Sequence, residues 1–355
     1  MKSFFTSLGL VIITILALNS CSPKIAANIK PKVYYPEIAD SAKVQFLTYF
    51  SNSLSIENKQ SKFSKAIIGD ALPLSIKKAY GVEFFDNKIY VSDIGIKGMD
   101  IIDLESSRFK YFVPQGLGKL KTPVNACLDE NGTLYVVDIS EKKIMLYDNN
   151  SNYLGQFGKK ENIAPSDIAV NGDKLWVCDS KNNRINVYNR NTQKFLYYLP
   201  KAEEGDDHWL YMPTNIHVSE DKIYVSDMGS GNVKIFSHKG EYIQSIGSFG
   251  TNMGQFIRPK GVAVDNEGNI YVVDASFHNV QIFNEEGELL LFFGGPTGDL
   301  GGMYLPTSIA IDYNVSKFIQ YVDPNYDLKY LIFVINQFGP HKLNVYGRVE
   351  LKKEI

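Results

Sequence analysis

A chain of 355 residues that is 44% hydrophobic and 21% charged has the profile of a folded globular protein, and disorder is not its default. Its formal net charge of -2 and the lack of any run of basic residues in the mature chain exclude a nucleic-acid footprint. No C-x-x-C-H run occurs, so the chain itself binds no covalent haem, and electron transfer would involve it only through partners.

The first twenty residues, "MKSFFTSLGLVIITILALNS", carry one basic residue and then an apolar run too short for a membrane span, which reads as a secretory signal over residues 1–20. "LNSC", Leu18 to Cys21, resembles the bacterial lipobox. That resemblance implies cleavage before Cys21 and acylation of its thiol and amine. The alternative is ordinary cleavage nearby, with Cys21 left as a free thiol. Ser22 is not the aspartate that retains lipoproteins in the inner membrane of enteric bacteria, which points to an outer-membrane anchor. Residues 21–42 then form a lipidated tether, and residues 43–355 form the folded domain.

The folded part repeats itself. "PVNACLDENGTLYVVD" (123–138), "PSDIAVNGDKLWVCD" (165–179), "PTNIHVSEDKIYVSD" (213–227) and "PKGVAVDNEGNIYVVD" (259–274) align on their prolines and terminal aspartates, and "AYGVEFFDNKIYVSD" (79–93) is a copy without proline. Asp93, Asp138, Asp179, Asp227 and Asp274 are 45, 41, 48 and 47 residues apart. Each copy continues with a polar loop and two further runs, such as "NVQIF" and "ELLLFF". Four short strands in each period of this length make one propeller blade. Radially stacked blades bury both faces of every sheet, which explains strands that are almost continuously apolar.

A sixth copy opens at "PTSIAID" (306–312). Val315, Phe318, Ile319 and Val322 have helical spacing and Pro324 would stop such a helix, so residues 313–330 read as a helical insertion. "LIFVIN" (331–336) is then the second strand, with Asn336 in the aspartate's place, and "KLNVY" (342–346) is the third. The fourth is missing at this end of the chain, and "KVQFLTYF" (43–50) can supply it, closing the ring without exposed edges. The expected fold is therefore all-β: a six-bladed propeller of four-stranded blades, closed by an N-terminal strand, with a short helical insertion in the last blade. Cys127 and Cys178 each fall inside a strand as small buried residues, with a disulfide between them the lesser alternative.

"RPKGVAVDNEGNIYVVDA", "FHNVQIFN", "LLLFFGGPTGD" and "INQFGPHKLNVYG" together resemble the NHL-repeat six-bladed propellers, especially the extracytoplasmic bacterial lipoproteins of that family. The resemblance covers most of the mature chain. It implies the propeller fold and a neighbourhood of multihaem cytochromes, but no biochemical role, since one fold hosts binders, scaffolds and enzymes.

The copies differ most informatively on the innermost strand. Two residues past the proline position stand Gly81, Asn125, Asp167, Asn215, Gly261 and Ser308, and two further on stand Glu83, Cys127, Ala169, His217, Ala263 and Ala310. Most are small, as strands converging on an axis require, so Glu83 and His217 stand out. Glu83, Asn125, Asp167, Asn215, His217 and Ser308 thus form a candidate channel-mouth binding set. The favoured function is a membrane-anchored binding or assembly module. The alternative is a calcium-dependent hydrolase, lactonase or lyase in which Glu83, Asn125, Asp167 and Asn215 supply hard oxygen ligands and His217 is the base. With only five histidines, a zinc version is disfavoured. The ring of strand-ending aspartates reads as loop acceptors rather than a metal site. Candidate partner contacts are Phe277 and His278 in a blade loop, with Trp209 and Tyr211 nearby. Phe318, Tyr321 and Tyr326 in the insertion would either dock an envelope cytochrome or porin or, the favoured reading, cover the last blade.

Overall fold

The computed structural model describes residues 32–56 and 72–353. The chain divides into Met1–Lys32 and a compact unit, Val33–Ile355, and every strand described belongs to the second. The signal sequence, Cys21 and Ser22 lie outside the described residues.

Proline or its substitute starts an inner strand six times: Ala79–Phe85, Pro123–Leu128, Pro165–Asn171, Pro213–Val218, Pro259–Val264 and Pro306–Asp312. Each pairs antiparallel with the second strand of its own blade, and the sheets of blades one to five have four strands in sequence order. The register joins each proline position to the residue that ends the second strand: Ala79 to Asp93, Pro123 to Asp138, Pro165 to Asp179, Pro213 to Asp227 and Pro259 to Asp274. In blade six Pro306 faces Asn336, so asparagine does stand in the aspartate's place.

The reason for this repeated register lies in the carboxylates. Asp138 accepts from the N–H groups of Lys121, Thr122 and Glu141, and Asp274 from those of Ile257, Arg258, Ser276 and Phe277. Each strand-ending aspartate thereby ties the chain arriving from the previous blade to the loop that follows it, satisfying buried donors that no sheet reaches.

The fourth strand of blade six is Val44–Phe50, paired with Leu343–Leu351, so the ring closes with a strand from the far end of the chain. A fifth strand, Tyr34–Tyr35, adds to its outer edge, and the fold therefore begins before residue 43, inside the expected tether. Apolar clusters lie one to each seam between neighbouring blades; the seam between blades one and six, for instance, packs Val82 and Val91 with Phe333, Ile335 and Val345. Phe84 stacks on Phe333 across it at 5.3 Å between ring centroids. Blade-on-blade burial of this kind is the main stabilising term.

Residues 313–330 are not a helical insertion. Their only helical turn among the described residues is a 3-10 turn at Ile319–Tyr321, and the second strand of blade six begins already at Tyr326 and runs to Asn336. Packing of Val315, Phe318 and Val322 into the seam between two blades overrides the local helical spacing. Phe318 is instead drawn into the core between blades six and one, where it meets Phe50 and Phe333.

Candidate functional site

Six inner strands enclose a cavity of about 250 Å³ on the propeller axis. The blades approach closely at its wall: a Cβ on Gly81 would lie 2.5 Å from the Asn125 side chain, and one on Gly261 would lie 2.7 Å from the Ile309 nitrogen. The side chains anticipated from the sequence, Glu83, Asn125, Asp167, Asn215, His217 and Ser308, all line this one cavity, with Cys127 and Tyr313.

Several of their polar atoms are committed to the wall. Asp167 accepts from Asn215 Nδ2 at 3.2 Å and from the N–H groups of Ile216 and Ile168. Asn125 Nδ2 donates to the Ser166 carbonyl at 2.8 Å, and the Ser308 hydroxyl accepts from the Val82 N–H at 3.2 Å. The Ser166, Thr214 and Thr307 hydroxyls, one residue above the wall, each donate to a carbonyl of the next blade. This hydrogen-bonded collar joins the inner strands at the upper end of the channel.

Glu83 and His217 belong to no such bond among the described residues. Burial, reinforced by the charges of Asp167 and Asp312, pushes the Glu83 carboxyl up to about 8. Burial also raises Asp167 to about 7 against its three hydrogen bonds. His217 is pushed by burial down to about 4 and Cys127 well above its ordinary value, so near neutral pH Glu83, His217 and Cys127 are uncharged. Cys127 and Cys178 are buried free thiols. The site is thus a polar shaft with a protonated carboxylic acid, a neutral imidazole and the amide oxygens of Asn125 and Asn215, which can offer and accept hydrogen bonds. Among the described residues no group of three or more histidine, cysteine, aspartate or glutamate side chains is arranged to hold a metal ion.

Inner-strand spacing did not reveal the groups just above the shaft. Lys260 is buried one residue above Gly261, Arg258 is exposed at the rim, and Tyr80 stands one residue above Gly81. The charge of Arg258 reaches both Lys260 and Tyr80, and that of Asp167 reaches Tyr80, but none of Arg258, Lys260 and Tyr80 lines the cavity.

The expected partner residues fare differently. The His278 ring faces the Met303 carbonyl and the Leu305 N–H, and His278 is not an open anchor. Phe277 is half-buried. Phe318 is 1% exposed and Tyr326 is likewise buried, so neither can meet a partner, and the segment covers the lower end of blade six; only Tyr321 of the three is exposed. The larger apolar surface is on the upper face of blade four, where Tyr211, Met212, Phe249 and Met253 are 43, 40, 68 and 69% exposed. In the loop between the second and third strands Gly229 sits against Tyr211, and Gly231 sits against Phe249. Trp209 is half-buried, its carbonyl bonded by Lys234.

Residues 203–289 match the family model described as a 6-bladed beta-propeller, and residues 164–188 match the NHL repeat. No curated protein matches the chain in sequence. Among solved structures, a structural-genomics protein of unknown function from Bacteroides thetaiotaomicron is 16% identical with a TM-score of 0.58, over 86% of this chain and 76% of that one. A gluconolactonase from Xanthomonas campestris is 15% identical with a TM-score of 0.55, over 91% and 98%. A streptogramin B lyase is 16% identical with a TM-score of 0.52, over 79% and 86%. At such identities the likeness shows the fold, and the fold is a six-bladed propeller carrying NHL repeats.

Proposed function

We propose that the protein is an extracytoplasmic binding module, anchored to the bacterial outer membrane through acylated Cys21, that docks an envelope protein on the upper face of its propeller. The observation that carries this reading is the blade-four patch. Four large apolar side chains exposed on the upper face of one blade are costly unless something covers them, and methionines together with aromatics make an adaptable contact surface. A multihaem cytochrome is the partner that the family resemblance supports, and a porin of the same envelope is the alternative.

The solved lactonase and lyase propellers keep a catalytic reading in view, and the calcium version would use Glu83, Asn125, Asp167 and Asn215. Asp167 speaks against it: its two oxygens already accept three hydrogen bonds from the wall, which leaves little of the carboxylate for a cation. The deciding experiment purifies the full-length protein from detergent-solubilised envelopes with and without the pair Phe249→Ser and Met253→Ser. Loss of a stoichiometric partner with an unchanged melting temperature supports the reading. A partner retained by that pair but lost with Tyr313→Ser on the lower face would refute it.

A further inference from the structure

The axial cavity holds carboxyls and no counter-charge. Glu83 and Asp167 line it, no lysine or arginine does, and Asp312 adds the field of a further carboxyl from the lower end of blade six. Glu83 is fully enclosed by the protein and yet keeps free surface, so that surface faces the cavity. It makes no hydrogen bond among the described residues, whereas Asp167 is held by three. The other titratable groups around Glu83 are His217 across the axis, Cys127 of blade two, Tyr313 of blade six and Tyr90 on the second strand of its own blade. None of these is a cation near neutral pH, and no cation elsewhere acts on Glu83.

Those side chains select among occupants. An anion would meet Asp167 and Asp312 with nothing to compensate it. A metal ion lacks its donor set, since among the described residues no group of three such side chains is arranged for one. A monovalent ammonium instead exchanges with the proton that burial keeps on Glu83, so the charge of the cavity does not change when it enters. The inward wall between Glu83 and His217 is small and largely apolar, with Ala169, Ala263 and Ala310, which suits an apolar body on that ammonium. A dry cavity of about 150 Å³ admits benzene, so one of about 250 Å³ takes a ring with a short chain. The cavity lies below the hydrogen-bonded collar, and its lining runs down to Tyr313, which is 43% exposed, so the lower face is the way in.

We propose that the axial cavity binds a small primary amine with an apolar body, its ammonium paired with the Glu83 carboxylate and its body against Ala169, Ala263 and Ala310. Binding forms the ion pair and releases the Glu83 proton to solvent. The amine keeps its own proton, as an alkylammonium titrates near 10 like that of lysine. Because Glu83 holds its proton up to about 8, affinity rises with pH until then and levels off above it. The site is independent of the docking surface on blade four, and either can fail alone.

Isothermal titration of the full-length protein with 2-phenylethylamine and cyclohexylamine tests it, with 2-phenylethanol and phenylacetate as comparisons. At pH 8 at least one amine should bind one to one, and the alcohol and the carboxylate at least tenfold more weakly. At pH 6.5 the amine should bind about tenfold more weakly than at pH 8, and titration in two buffers of different ionisation heat should show a proton released. Glu83→Gln should weaken the amine at least tenfold and remove its pH dependence. No binding of either amine, equal binding of 2-phenylethanol or phenylacetate, an affinity independent of pH, or unaltered binding by Glu83→Gln would overturn the proposal. The pH series and the comparison of amine with alcohol use the unaltered protein, so they remain decisive if Glu83→Gln fails to fold.

Discussion

Replacing Asp100 by asparagine should stabilise the protein, and increasingly so as pH rises. Asp100 sits on the third strand of blade one, fully buried, and neither of its oxygens meets a hydrogen-bond donor. Beside it stands Asp93, whose oxygens already hold the N–H groups of Lys77, Lys78 and Gly95. Burial, and then the Asp93 charge, push Asp100 up to about 9. A carboxyl that titrates near 4 when unfolded and near 9 when folded contributes stability that is complete below pH 4. That contribution is lost as pH climbs toward 9, at about 1.4 kcal/mol per unit. By pH 7 the loss reaches about 4 kcal/mol as an upper bound, because structural relaxation and water reduce it. Asparagine removes the titration and can do what Asn186 does at the matching place in blade three, where Nδ2 donates to Asp179 at 3.0 Å. One such bond adds about 1 kcal/mol. Urea unfolding of both proteins at pH 5, 6, 7 and 8 should show the variant ahead, with a gap that widens with pH. A gap independent of pH, or a less stable variant, would contradict this titration of Asp100.

The channel carboxyl behaves similarly. Glu83 is raised to about 8, so Glu83→Gln should leave stability unchanged at pH 4 and raise it by on the order of 1–2 kcal/mol at pH 8, the shift being discounted for water in the shaft; the same urea series reads it. Phe318→Ala empties a buried site between blades six and one and should cost about 3–5 kcal/mol in the unfolding free energy, whereas a loss under about 1 kcal/mol would mean that the segment is not a cover. Millimolar calcium should leave the melting temperature unmoved, because Asp167 is engaged by its own wall; a rise abolished by Glu83→Gln would establish a cation site instead.

The wheel itself was legible because stacking forces its residues to recur. The aspartates that end the second strands bond both the incoming chain and the following loop, so their spacing measures the blade, and even the substitution by Asn336 could be placed by register. The closing strand was legible for the same reason: a blade one strand short has an edge to cover. The lower segment of blade six misled, because Val315, Phe318 and Val322 recur with helical spacing and yet pack as an irregular cover whose burial is decided by the seam between two blades. The channel residues were found from period 2 along the inner strand, which places a residue on the wall without saying which of its atoms the wall consumes. Lys260 was missed because it sits one position off that period. Of the exposed apolar residues on blade four only Tyr211 was anticipated; Met212, Phe249 and Met253 were missed because their exposure depends on a long connection and on the packing of Gly229 and Gly231 against Tyr211 and Phe249, which is a tertiary fact.

Docking of a partner on the upper face of blade four is open to a direct test: a photo-crosslinking amino acid placed at position 249 in intact cells, with the same group at exposed Leu290 on an outer strand as the comparison. A discrete adduct with one envelope protein is expected from position 249 and none from position 290. No adduct at 249, or the same adducts from both positions, would mean that blade four is not the docking face.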